Sequence, residues 1–280
     1  MQGRPYTPKR NLHLHLWIIY RRRRSERKGD NMSRYILECC VDSVTSAIHA
    51  AEGGADRLEL CGNLVIGGTT PSPYLFKEVK KYVDIPIHVL IRPRFGDFCY
   101  DEHEVGIMCQ EIRMFRELGA SAVVIGALRP DGTLNTDALK RMILAAGNRK
   151  ITLHRAFDVC ADPFLAMEEA VSLGIHTILT SGQAASCLAG QKLLKELHEK
   201  AENRIEIMAG AGVDAAAIRS LTAGTGIRSF HMSGKITRDS AMEYRKEGVN
   251  MGLPSLSEYE IWETSREKVR EAKMALERVL

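Results

Sequence analysis

The sequence predicts an α/β fold, a single (β/α)8 barrel of the TIM type, on three observations. From Tyr35 onward, short β-branched or apolar runs alternate with helical stretches of about ten to fifteen residues, the pattern of repeated βα units with parallel strands. Eight such units follow one another, which argues for closure of the sheet on itself. Several units share a punctuation: Gly-Ala or Gly-Ile precedes the next strand at Gly54, Gly119, Gly174 and Gly226, as expected where a glycine C-cap turns into a barrel strand.

The elements fall in order along 35–280, the predicted barrel domain. The first strand is placed at 35–40, with Asp42 or Ser43 as the cap of a helix that ends at Gly53. A second strand at 57–61 is followed by a helix with Pro73 in its first turn. The third strand is at 86–91, and the fourth, at 121–126, starts just beyond the helix that Gly119 ends. The fifth, at 150–155, leads to a helix with Pro163 in its first turn and Gly174 at its end. Strands six, seven and eight are placed at 176–180, 205–209 and 228–232. Residues 258–279 read as a charged amphipathic helix that closes the outer ring or covers a partner subunit. An open doubly wound sheet would need a phosphate-binding Gly loop after the first strand, and Cys39-Cys40-Val41-Asp42-Ser43 is no such loop.

Charge and composition exclude several functions. The net charge of +4 comes from the first 31 residues, which hold nine of the 39 basic residues and two of the 35 acidic ones. The remainder has 30 basic against 33 acidic residues, so the folded part offers no case for nucleic-acid binding. No apolar run approaches the roughly 20 residues needed to span a bilayer, so no membrane partner is expected. Seven scattered cysteines point to a reducing cytoplasm rather than a disulfide framework. Residues 1–31 are read as a basic extension, disordered or untranslated. Lys28, Gly29 and Asp30 can be encoded by a purine run resembling a ribosome-binding site, which places the start at Met32.

The chemistry is expected at the C-terminal ends of the strands, where a barrel gathers its working groups. Strands one and two carry one phrase twice, Leu37-Glu38-Cys39-Cys40 and Leu58-Glu59-Leu60-Cys61, and alternation puts each Glu on one face with the Cys two places on. Facing inward, Cys40 and Cys61 could hold a soft ion such as Cu(I), or be small inert core residues. Buried carboxylates need cations or donors, and Arg92, Arg94, His154 and Arg155 are the expected partners of Glu38 and Glu59. Small residues after the later strands suggest an anion site: Ser181-Gly182, Gly210 and Gly212, and His231 with Ser233, alongside Arg92, Arg94 and Arg155. His49, His88 and His198 read as ordinary packing or surface residues.

These motifs together resemble the CutC family. The resemblance runs from about Tyr35 to Gly252 through Glu38 to Ser43, Arg57 to Gly62, Gly67 to Ser72, Arg92 to Tyr100, His154 to Asp158, Leu179 to Gly182, Met208 to Val213 and His231 to Ser233. It implies a βα barrel, a cytoplasmic setting and a Cu(I) site at Cys40 and Cys61, with no organic cofactor. Two features depart from the family pattern: the extra thiol Cys39, and the lack of an asparagine within Asp214 to Ala217. The leading functional expectation is copper handling through the two thiols. The alternative is an enzyme for a small anionic or phosphorylated metabolite, with Glu59, His154 or Asp158 as general acid or base. A third is a non-catalytic homo-oligomeric scaffold.

Overall fold

The structure, a computed structural model, describes residues 35–249, 251–253 and 256–278; the extension 1–31 and its expected start at Met32 lie outside them. Eight parallel strands close in sequence order: β1 (Ile36–Val41), β2 (Arg57–Leu60), β3 (Ile87–Leu90), β4 (Ala122–Ile125), β5 (Lys150–Leu153), β6 (Thr177–Thr180), β7 (Glu206–Ala209) and β8 (Ser229–Met232), with β8 pairing back onto β1. All eight predicted strands are present, each within a residue or two of its expected limits.

Helices α1 (Val44–Gly53), α2 (Pro73–Val79), α3 (Glu102–Leu118), α4 (Thr136–Ala146), α5 (Pro163–Ser172), α6 (Gln191–Ala201) and α7 (Ala215–Thr225) follow the first seven strands. Their limits have local causes. Ser43 caps α1 by accepting from the Ser46 N–H, while Asp42 accepts from the Leu64 N–H instead. Asp101 and Glu104 form a reciprocal capping box at the start of α3. Gly119 ends that helix at φ 91°, a left-handed conformation in which a side chain would be strained. Between strands and helices runs an apolar layer that includes Leu37, Leu58, Phe76, Val89 and Phe115, with the Phe76 and Phe115 rings edge-on at 5.6 Å.

The C-terminal stretch departs from expectation. Residues 258–279 are not one helix: Glu260–Thr264 forms strand β10, antiparallel to β9 (Lys235–Asp239), and α8 begins only at Arg266. Ile261, Trp262 and Thr264 favour an extended chain, and Ser265 then caps α8 by accepting from the Lys268 N–H. Helix α8 packs on α1 and α7 through buried Val269, Ala272, Ala275 and Leu276, so it closes the outer ring. The contact with α1 is close, since a Cβ on Gly53 would come within 2.6 Å of the Val269 Cβ.

Register decides what the barrel holds inside. Cys40 lies opposite Glu59, Glu59 opposite His88, and Glu38 opposite both Arg57 and His231. Residues in register on neighbouring parallel strands share a face, so these six side chains converge on the interior between β8 and β3.

Candidate functional site

The interior of β1, β2, β3 and β8 holds a continuous polar network. Glu38 is fully buried. Its Oε2 accepts from Arg57 Nε at 2.5 Å and its Oε1 from His231 Nδ1 at 2.8 Å. His88 Nδ1 lies 3.2 Å from Oε2 but is poorly aligned for a hydrogen bond. Burial alone would raise the Glu38 pKa, yet the Arg57 charge and the neighbouring imidazoles hold it well below the usual carboxylate range. Below this carboxylate, Arg57 comes within 3.8 Å of Glu206, which accepts from Thr177 and Ser229. The expected carboxylate, arginine and histidine network therefore exists, with different partners: Arg57, His231 and His88 in place of Arg92, Arg94, His154 and Arg155. His88 is a correction to its reading as ordinary packing. Its place opposite Glu59, on the inward face, puts it against Glu38.

Above Glu38 the network reaches the barrel mouth. His231 Nε2 stands 3.6 Å from Glu59 Oε2, and the Cys61 thiol donates to the same oxygen at 3.5 Å. Burial pushes the Glu59 pKa up, His231 opposes that shift, and the Glu38 charge adds to it. Burial disfavours a charged His231, but Cys40, Glu59 and Glu38 together raise its pKa well above the ordinary value. Burial and then Glu59 push the Cys61 thiol up as well, so it stays protonated. The donor atoms of Cys40, Glu59 and His231 all lie within 4.8 Å of one another. Cys61 is packed just behind them against Cys40, Leu90 and Val124.

These groups form one wall of a mouth cavity of about 290 Å³, whose other walls include Arg92, His154, Arg155, Gly212 and Ser233. Arg92 is buried over the Phe98 ring and gives its Nη donors to the carbonyls of Gly67, Gly68 and Gly96. His154 directly follows β5, where its Nδ1 accepts from the Ala156 N–H at 3.1 Å. That bond puts the ring proton on Nε2, which is buried and has no partner among the described residues. Burial, followed by the Arg92 charge, pushes the His154 pKa down to about 3. The ring therefore stays neutral near pH 7 and acts there as a fixed N–H donor, not as the titrating acid or base proposed for it. In an imidazole ¹⁵N titration, His154 is expected to show no protonation step from pH 8 down to about pH 4. A step near the ordinary histidine value would contradict this assignment.

The remaining expected anion groups are employed elsewhere. Asp158 accepts from Thr180 Oγ1 at 2.5 Å, from Ser181 N at 3.0 Å, from Ser181 Oγ at 3.0 Å and from Gln183 N at 3.3 Å. It also accepts from Arg155 Nε at 2.6 Å. The loop carrying Ser181 and Gly182 thus already holds a carboxylate of its own, and Asp158 is consumed in doing so. Arg94 turns away to Glu104, Asp97 and the Cys99 carbonyl. Gly210 is packed under Leu179, leaving 2.6 Å for a Cβ. At α7, Asp214 accepts from the Ala216 and Ala217 N–H groups, so that helix end is also satisfied from within.

The profile of the CutC family matches residues 35–236. A CutC family protein of Pasteurella multocida is 43% identical over 242 residues, covering 86% of this chain and 99% of its own. The human copper homeostasis protein cutC homolog is 42% identical over 244 residues, covering 87% of this chain and 89% of its own. A crystal structure of CutC from Streptococcus agalactiae superposes with a TM-score of 0.68 at 34% identity, over 71% of this chain and 98% of the other.

Proposed function

The chain belongs to the CutC family, and on that premise we propose that it handles Cu(I) as cargo at its barrel mouth, within a reducing cytoplasm. The observation that carries this reading is the convergence of Cys40, His231 and Glu59 within 4.8 Å. A thiolate selects a soft ion such as Cu(I), and imidazole suits copper as well. Glu38 accepts from His231 Nδ1, which leaves Nε2 available as the ligating nitrogen, the usual second-sphere arrangement of a metal-binding histidine. All seven cysteines are free thiols. The pair expected from sequence, Cys40 and Cys61, is reordered here: Cys40 leads with His231, and protonated Cys61 stands behind Glu59 as a second thiol.

Binding has to displace the proton that the raised His231 pKa holds on the imidazole, so copper uptake releases a proton and weakens as pH falls. In competition against a colorimetric Cu(I) chelator, Cys40→Ser is expected to weaken binding about a hundredfold or more, and Cys61→Ser by less than about tenfold. Unchanged binding in the Cys40→Ser plus Cys61→Ser double variant would sink the thiol site.

A second reading, catalysis on a small anionic metabolite, is favoured by the His154 N–H, which has no partner among the described residues and lines the same cavity. Glu59, with its raised pKa, is the proton-transfer group that reading would use.

A further inference from the structure

We propose that the mouth cavity is a binding site for a small organic carboxylate, held by the Nε2–H of His154 and the outer edge of the Arg155 guanidinium, beside the buried cation Arg92. This goes beyond the copper reading and does not depend on it.

The first support is a donor with nothing to donate to. His154 is 5% exposed and lines the cavity, and its Nε2–H has no acceptor among the described residues. A buried polar group left in that state is destabilising unless something satisfies it. The ring is also fixed in place. Its Cε1–Nδ1 edge lies so close to Gly126 that a Cβ there would come within 2.4 Å, and Phe98 packs on it at 4.9 Å. The imidazole is neutral across the physiological range, so it discriminates by hydrogen bonding and not by charge.

Positive charge comes from the two arginines. Arg92 gives its Nη atoms to backbone carbonyls and makes no ion pair among the described residues. Arg155 engages Asp158 through Nε and Ser181 through Nη2, leaving Nη1 without a hydrogen bond among the described residues.

The class of anion follows from which donors are already taken. A phosphate site in this quadrant of a barrel relies on the loop amides after the later strands and on a helix N-terminus. Here the amides of Ser181 and Gln183 are bound by Asp158, and those of Ala216 and Ala217 by Asp214. At these two places the chain's own carboxylates already hold the amides a phosphate would use, and a second anionic charge beside them is disfavoured. The donors left without acceptors among the described residues include the His154 N–H, Arg92 Nε, the Arg155 Nη1 edge and the Gly212 and Ser233 amides, and a neutral N–H paired with a guanidinium edge suits the two oxygens of a monoanionic carboxylate. The rest of such a ligand would extend toward Cys40, Glu59 and His231 across the cavity.

The test is titration of the copper-free full chain with acetate, pyruvate, lactate and inorganic phosphate, followed by calorimetry. At least one carboxylate should bind saturably at one site per chain, and phosphate about tenfold more weakly or not at all. His154→Phe, which keeps the ring packing, should weaken that carboxylate about tenfold, while His154→Gln, which restores a side-chain N–H, should recover most of the affinity. Should His154→Phe fail to fold, the His154 Nε2 resonance of the unaltered chain reads the same contact, and it should move on saturation. The proposal is overturned by phosphate binding as tightly as any carboxylate, by no saturable carboxylate binding, or by an unmoved His154 resonance.

Discussion

Glu38→Ala is expected to destabilise the protein by about 3–5 kcal/mol, because it leaves charged groups stranded inside the barrel. Glu38 is fully buried and accepts from Arg57 and His231, with His88 3.2 Å away. Removing it leaves the largely buried Arg57 with Glu206, 3.8 Å distant, as its remaining ion-pair partner among the described residues. Replacing both members of the pair by apolar side chains, Glu38→Leu with Arg57→Met, should recover much of the loss, since an unpaired buried charge is worse than no charge. Acid should reproduce the effect in the unaltered chain. A carboxyl held well below its ordinary pKa contributes stability that is complete above the unfolded value near about 4.3 and is lost as pH falls toward the folded value. Urea unfolding midpoints measured from pH 7 downward should therefore decline more gently in Glu38→Gln than in the unaltered chain. Equal slopes would mean that Glu38 is not the linked group.

The barrel was legible because its signals are local. Each strand is a short apolar run, most helices carry a side-chain cap, and the glycines at Gly54, Gly119 and Gly226 mark left-handed helix ends directly before a strand. The hairpin of β9 and β10 was harder to read, since Ile261 to Thr264 is too short for periodicity to separate strand from helix beside a strongly helical stretch. In the site, the twin phrases on β1 and β2 were enough to place Glu38, Cys40, Glu59 and Cys61 inside. Their partners were not readable, because pairing depends on register around a closed sheet. Arg57 sits at the start of its strand, and His88 is a lone polar residue in an apolar one. Only the alignments of Glu38 with Arg57 and of Glu59 with His88 show where they point. His231 was expected among anion-binding groups because the closure of β8 onto β1, which gives it Glu38 as a partner, is a property of the whole barrel.

Asp158 shows how misleading local motif reading can be at a barrel mouth, and it yields the second large effect. Thr180-Ser181-Gly182 has the composition of an anion loop, and it is one, but its anion is a side chain of the same protein. Asp158 is almost wholly buried and collects hydrogen bonds from Thr180, Ser181, Gln183 and Arg155. Asp158→Ala removes the acceptor from two backbone amides and frees a guanidinium, and is expected to destabilise the fold by about 3 kcal/mol. Hydrogen exchange should rise at Ser181 and Gln183 before it rises elsewhere, because those amides lose the one acceptor they have among the described residues. The emptied loop should then behave as its composition suggested. Tens of millimolar inorganic phosphate should stabilise Asp158→Ala by mass action and leave the unaltered chain unmoved, in thermal unfolding followed by calorimetry. Equal stabilisation of both proteins would mean that phosphate has a site which Asp158 does not fill, and would count against a carboxylate-selective mouth. Stabilisation of the variant alone would show that this barrel keeps a phosphate-type loop and closes it with its own carboxylate, leaving His154 and Arg155 to choose the ligand.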